Sequence, residues 1–161
     1  MDVVLFGMPL PLVLGAALAL YMAWAIAAND VANAMGTSVG SGALTVAGAV
    51  VVAGILEFAG AFLAGGHVTD TVRKGMLDPA LVAENPELIL YGMLAALASA
   101  GTLLIVATRF GLPVSTTHSI VGAIMGFGVV GLGVDAVNWG EIARIVASWV
   151  TSPLLGGVLA Y

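Results

Sequence analysis

Thirteen of the 161 residues carry a formal charge, nine acids and four bases, and apolar side chains make up 61% of the chain. A soluble domain carries about 25% charged residues, and a chain this short cannot hide so much apolar surface, so a composition with mean hydropathy +1.14 excludes a soluble globular domain and intrinsic disorder. It also excludes a nucleic-acid binder, which needs a basic face: the chain belongs in a lipid bilayer, where about 20 residues per helix leave room for roughly four or five spans.

Val3 to Ala28 is almost continuously apolar, with Pro9 and Pro11 near its start. Met1-Asp2-Val3 lacks the positive stretch of a cleavable signal peptide, so the first apolar segment is expected to stay as the insertion signal. It runs into Asn29-Asp30-Val31-Ala32-Asn33-Ala34 and then a Gly/Ser-rich stretch ending at Gly42. A second span is predicted from Leu44 to Leu63, interrupted only by glycines and Glu57. His67 to Glu87 is the one plainly hydrophilic stretch, with Pro79 and Pro86 as breakers, and reads as an extramembrane loop with room for a short helix.

A third span covers Leu88 to Ala107 and ends at Thr108-Arg109-Phe110-Gly111. Pro113-Val114-Ser115-Thr116-Thr117-His118-Ser119 follows. The apolar segment after it, Ile120 to Val134, has only about 15 residues, a length typical of a re-entrant segment. The last span begins near Trp139 and is still apolar at Tyr161, so the chain reads as cut off there. Basic residues divide evenly, Arg73 and Lys74 on one side against Arg109 and Arg144 on the other, so the positive-inside rule assigns no orientation.

Two polar clusters lie beside or inside apolar segments, where polar groups are tolerated only against protein or a water-filled cavity. In the first, Asn29 and Asn33 are four apart and share a helix face, with Asp30 about 100° round it. Amide and carboxylate oxygens among small neighbours suit a hard cation such as Na⁺. Asn and Asp also bond locally to backbone, which makes this a predicted helix break; the alternative is a helix cap at the membrane surface. In the second cluster, Pro113 stops the preceding helix and Ser115 or Thr116 caps the next. Hydroxyls and free N–H groups at a helix N-terminus make an anion site, and broken helices of transporters place such ends near the midplane; the alternative is an ordinary polar turn. His118 alone is more often a structural donor than a ligand.

Glu57, in Gly54-Ile55-Leu56-Glu57-Phe58-Ala59-Gly60, must pair, be protonated, line a cavity or snorkel. Glu141 and Arg144, three apart, predict an ion pair on the face of the last helix. There are no cysteines, no paired metal histidines, and no nucleotide-binding glycine pattern, so no metal site or cofactor is expected.

Ala28-Asn29-Asp30-Val31-Ala32-Asn33-Ala34 resembles the signature of the inorganic phosphate transporter (PiT) family, usually written G-A-N-D-V-A-N-A, with Ala27 in place of the leading glycine. The Pro113-to-Ser119 run resembles the family's second recurrent element, and Glu57 in its setting resembles a family glutamate linked to phosphate transport. Order and spacing of all three match across essentially the whole chain. The resemblance implies an all-α, multi-pass integral membrane protein of about four transmembrane helices plus a re-entrant or broken-helix segment. It makes residues 1–161 a single membrane domain, the N-terminal half of an inverted-repeat transporter. Its single copy of each motif implies a partner, either a C-terminal repeat half or a homo-oligomeric copy, in the cell (plasma) membrane.

The function so implied is symport of inorganic phosphate with Na⁺ or H⁺, and not an enzymatic activity. Ser115, Thr116, Thr117 and Asn33 are expected to bind phosphate; Asn29, Asp30, Asn33 and Ser115 to bind the cation; Glu57 and His118 to couple or gate. Neither cluster holds a Lys or Arg to balance phosphate against Asp30, so a bound cation, or a proton on Asp30, would supply the missing positive charge. Competing readings are a sulfate or other oxyanion permease, a passive pore or structural membrane subunit, and an intramembrane hydrolase with Ser115 as nucleophile and His118 as base. The last lacks an acidic orienter and an oxyanion-hole signal.

Overall fold

The computed structural model describes residues 3–5 and 7–161, the side chains of His67, Val68, Thr71, Val72, Arg73, Lys74 and Ala160 excepted. The sequence-based reading of Met1-Asp2 lies outside these residues. Two short strands, β1 (Val4–Leu5) and β2 (Met8–Pro9), pair antiparallel before the first helix. The first span therefore starts later than Val3. Pro9 holds Met8 before it in extended backbone, and helix α1 begins only at Leu10, with Pro11 in its first turn, where a proline is tolerated.

Helix α1 (Leu10–Gly40) then runs unbroken through the Asn-Asp cluster, against the expected break. The reason lies in where the amides turn. Asn33 Nδ2 donates to Asn29 Oδ1 one turn earlier at 3.0 Å, so the side chains bond each other and a neighbouring loop instead of competing for their own backbone. The alanines between them are strong helix formers.

Helix α2 (Val46–Lys74) extends beyond the predicted second span and takes in the first part of the 67–87 stretch. Most of the rest is helical too: α3 (Pro79–Glu84) is capped by Asp78, whose carboxylate accepts from the Ala80 N–H at 2.8 Å, and α4 (Pro86–Arg109) follows at once. The expected loop thus shrinks to two short joints. Nothing between Gly66 and Lys74 breaks a helix, whereas Pro79 and Pro86 are tolerated at first-turn positions and start helices.

Helix α5 (Thr116–Gly131) is short, about 24 Å at 1.5 Å per residue, against a hydrocarbon core of about 30 Å. A 3-10 turn (Val134–Ala136) leads to α6 (Trp139–Ala160). Among the described residues, four helices are long and apolar enough to cross a membrane: α1, Val46–Gly66 of α2, α4, and Trp139–Leu159 of α6. The Glu141–Arg144 pair forms at 3.4 Å as predicted.

Packing centres on α4, which lies between α1 and α5. Met22, Ala25, Ala100 and Leu104 form one buried cluster at the α1–α4 contact. Ala96, Val121 and Ile124 form another at α4–α5, joined by Ile142 and by Met76, Leu77 and Val137 from the joints. Those joints are stitched by Asn138 N–H to Met76 O at 2.9 Å and Asp78 N–H to Ala136 O at 2.8 Å. Glycine permits the closest approach at Gly92, against which the Phe127 ring sits so tightly that a Cβ would overlap it. Gly92→Ala is therefore expected to destabilise by about 1–2 kcal/mol, the overpacking exceeding the helix-propensity gain. The check is thermal unfolding in detergent; an unchanged or raised midpoint would contradict this packing. Apart from Ala49 and Ala53, α2 has few buried side chains, and Phe58, Phe62 and Leu63 are exposed.

Candidate functional site

The two polar clusters meet. Where α4 ends, Gly111 adopts φ +66, a conformation that a side chain would strain, and turns the chain into the extended segment before α5. That segment lies across α1 at Asn29, which is 5% exposed. The Asn29 amide has two N–H donors and one carbonyl oxygen with two lone pairs, and all four are used. Nδ2 donates to Thr108 Oγ1 at 3.0 Å and to the Leu112 carbonyl at 3.2 Å. Oδ1 accepts from Asn33 Nδ2 at 3.0 Å and from the Val114 N–H at 3.3 Å. Asn29, expected as a cation ligand, is in this conformation a clamp fastening the broken segment to α1. Its partners Thr108, Leu112 and Val114 were not among the expected site residues, since two of the three contribute only backbone.

Asp30, the next residue, faces the start of α5, and its Oδ2 accepts from Thr116 Oγ1 at 2.7 Å. Ser115 caps α5, its Oγ accepting from the His118 N–H at 3.3 Å. The N–H groups of Thr116 and Thr117, unpaired within any helix that starts there, find no acceptor among the described residues. Asp30, Asn33, Pro113, Ser115, Thr116 and Thr117 line an open cleft of about 670 Å³. A smaller one of about 320 Å³, on the other side of Asn33 and Pro113, is lined by Asn29 and Thr108. The cleft walls thus hold one carboxylate, an amide, three hydroxyls and a helix N-terminus, with no Lys or Arg among the described residues.

The remaining expected residues separate. His118 is exposed on α5 and stacks on Trp149 of α6, ring centroids 3.5 Å apart and interplanar angle 28°. Glu57 is exposed on α2 and lines neither cleft. The predicted cation and anion clusters are therefore one site, and Glu57 stands apart from it.

The Phosphate transporter family profile matches residues 26–161. The chain belongs to this family. Among its relatives, the inorganic phosphate transporter 2-1, chloroplastic, of Arabidopsis thaliana is 55% identical over 88% of the chain and 24% of its own length. A protein of Pyrococcus abyssi named as a phosphate permease is 53% identical over 89% of the chain and 35% of its own length. A solved structure, "The sodium-dependent phosphate transporter", superposes with TM-score 0.86 at 48% identity, over 92% of this chain and 36% of that one. The chain spans about a third or less of the length of these relatives. As a phosphate transporter family member with four spanning-length helices, it is a multi-pass integral membrane protein and not an enzyme.

Proposed function

We propose that the protein moves inorganic phosphate across the membrane together with a cation. The observation that supports this most is the approach of the Asp30 carboxylate to Thr116 at the N-terminus of α5, in a cleft that no Lys or Arg lines among the described residues. An N-terminal helix end with free N–H groups favours an oxyanion, but a carboxylate beside it opposes one. Two like charges about 4 Å apart repel by roughly 4 kcal/mol at an effective dielectric of 20. A cation held between Asp30 and the phosphate reverses that sign, so each ion raises the other's affinity, the reciprocal coupling that symport needs.

In this reading the cation takes Asp30, the free lone pair of Asn33 Oδ1 and the Ser115 hydroxyl. Phosphate takes the hydroxyls of Thr116 and Thr117 with their N–H groups, and Asn29 holds the frame. Glu57 and His118 act as coupling groups from outside the cleft. Similarity to a sodium-dependent phosphate transporter favours Na⁺ over H⁺ as the coupling ion. The remainder of the transporter is a C-terminal repeat or a second copy of the chain, covering the exposed faces of α2 and α6.

The test is radiolabelled phosphate uptake into proteoliposomes with Na⁺ and H⁺ gradients imposed separately and sulfate as competitor. Uptake driven by the sodium gradient and unaffected by sulfate is expected. Uptake indifferent to both gradients would replace symport with a passive pore, and sulfate competing on equal terms would replace phosphate with a general oxyanion.

A further inference from the structure

Helix α6 meets the rest of the described chain along one stripe, Ile142, Ile145 and Trp149, spaced for a single helical face. Beyond Trp149 its large apolar side chains, Val150, Leu154, Leu155, Val158 and Leu159, are all exposed. Trp149 is thus the last point at which α6 grips the bundle, packing against the buried core cluster and stacking on the His118 ring. His118 stands in the first turn of α5, and its backbone N–H is the one that Ser115 Oγ caps. Ser115 in turn forms a wall shared by the Asp30 cleft and a third cleft of about 420 Å³, which His118 and Ser119 also line. The cap and the ring stack, together with the Thr116–Asp30 hydrogen bond, therefore hold the first turn of α5 in place.

We propose that Trp149 is a positioning residue for the oxyanion site, fixing the Ser115–Thr116–Thr117 turn through its stack on His118; this rests on the phosphate reading above. The stack makes the position of α6 felt at the site, although no residue of α6 lines the Asp30 cleft. The ring does this and not the indole N–H, because Nε1 of Trp149 is buried with no acceptor among the described residues. Phenylalanine keeps a ring and discards a donor that nothing satisfies, so it should substitute well. Alanine removes the ring and leaves the first turn of α5 held by its cap and by the Thr116–Asp30 hydrogen bond.

The experiment uses phosphate uptake in proteoliposomes and the fluorescence of Trp149 in a Trp24→Phe/Trp139→Phe background. Loss of an aromatic pair should raise KM for phosphate about threefold to tenfold in Trp149→Ala. Because the ring orders binding groups and touches no reacting atom, Vmax should stay within about twofold. Trp149→Phe should restore the wild-type KM, and Trp149 emission should change saturably as phosphate is added. Should the alanine variant fail to fold, the phenylalanine variant and the emission titration carry the test. Unchanged KM in Trp149→Ala, a phenylalanine variant as impaired as alanine, or emission indifferent to phosphate would each overturn the positioning role while leaving phosphate transport standing. A wild-type protein that moves no phosphate under either gradient would overturn the functional reading, and this inference with it.

Discussion

Phosphate uptake by Asp30→Asn is expected to lose its dependence on the cation gradient and to fall by about a hundredfold or more, a loss of roughly 3 kcal/mol. Asparagine matches aspartate in shape and keeps an oxygen that accepts from Thr116 Oγ1, so the 2.7 Å contact has a replacement and the fold should hold. What disappears is the negative charge, the only one lining the cleft among the described residues. Without it the cation loses its strongest ligand, and the link between cation and anion binding goes with it. The full Coulomb figure of roughly 4 kcal/mol is an upper bound here, because Asp30 is only half-buried and water screens part of the field. The measurement is initial uptake rate against sodium concentration, with protein in the membrane quantified to exclude poor insertion. Wild-type rates with an unchanged sodium response would remove Asp30 from the coupling mechanism.

Asn29→Ala should act on stability before it acts on transport. The substitution removes four hydrogen bonds at once and strands the Leu112 carbonyl and the Val114 N–H of the segment before α5. Buried groups left without partners cost about 1–3 kcal/mol each, partly recovered where water reaches them. A net loss of about 2–4 kcal/mol is expected, lowering the unfolding midpoint in detergent by roughly 5–10 °C. A midpoint within about 1 °C of wild type would mean that the segment is held by something other than this amide. Asp30→Asn and Asn29→Ala thus make a contrasting pair of neighbours: the first spares the fold and removes coupling, the second loosens the fold beneath the site.

Much of the fold is legible in the chain because a bilayer makes severe demands on composition. Helices α4 and α6 fall within a few residues of where their apolar runs begin and end, since hydrophobic length and flanking Pro or Gly decide such boundaries. The Ser115 cap is legible for the same local reason, a hydroxyl after Pro113 at the start of an apolar run. Polarity is a poor guide to irregularity, and there the expectations fail. The 67–87 stretch is hydrophilic but mostly helical, and the Asn-Asp cluster is polar but mid-helix, because nothing in the cluster or between Gly66 and Lys74 breaks a helix and Pro79 and Pro86 start new ones.

Side-chain chemistry along one dimension thus dictates the membrane habitat, the helical class and the residue types that gather at the site. Folding in three dimensions is what joins the two polar clusters into one cleft, from residues some eighty-five positions apart. It also commits the Asn29 amide to the frame while Asp30 faces the cleft, leaves Glu57 elsewhere, and stacks Trp149 on His118 in the first turn of α5. Hydrogen bonding explains the difference. An amide and a carboxylate side by side announce polar capacity, but which of them is satisfied inside the protein depends on what the α4–α5 turn brings within about 3 Å.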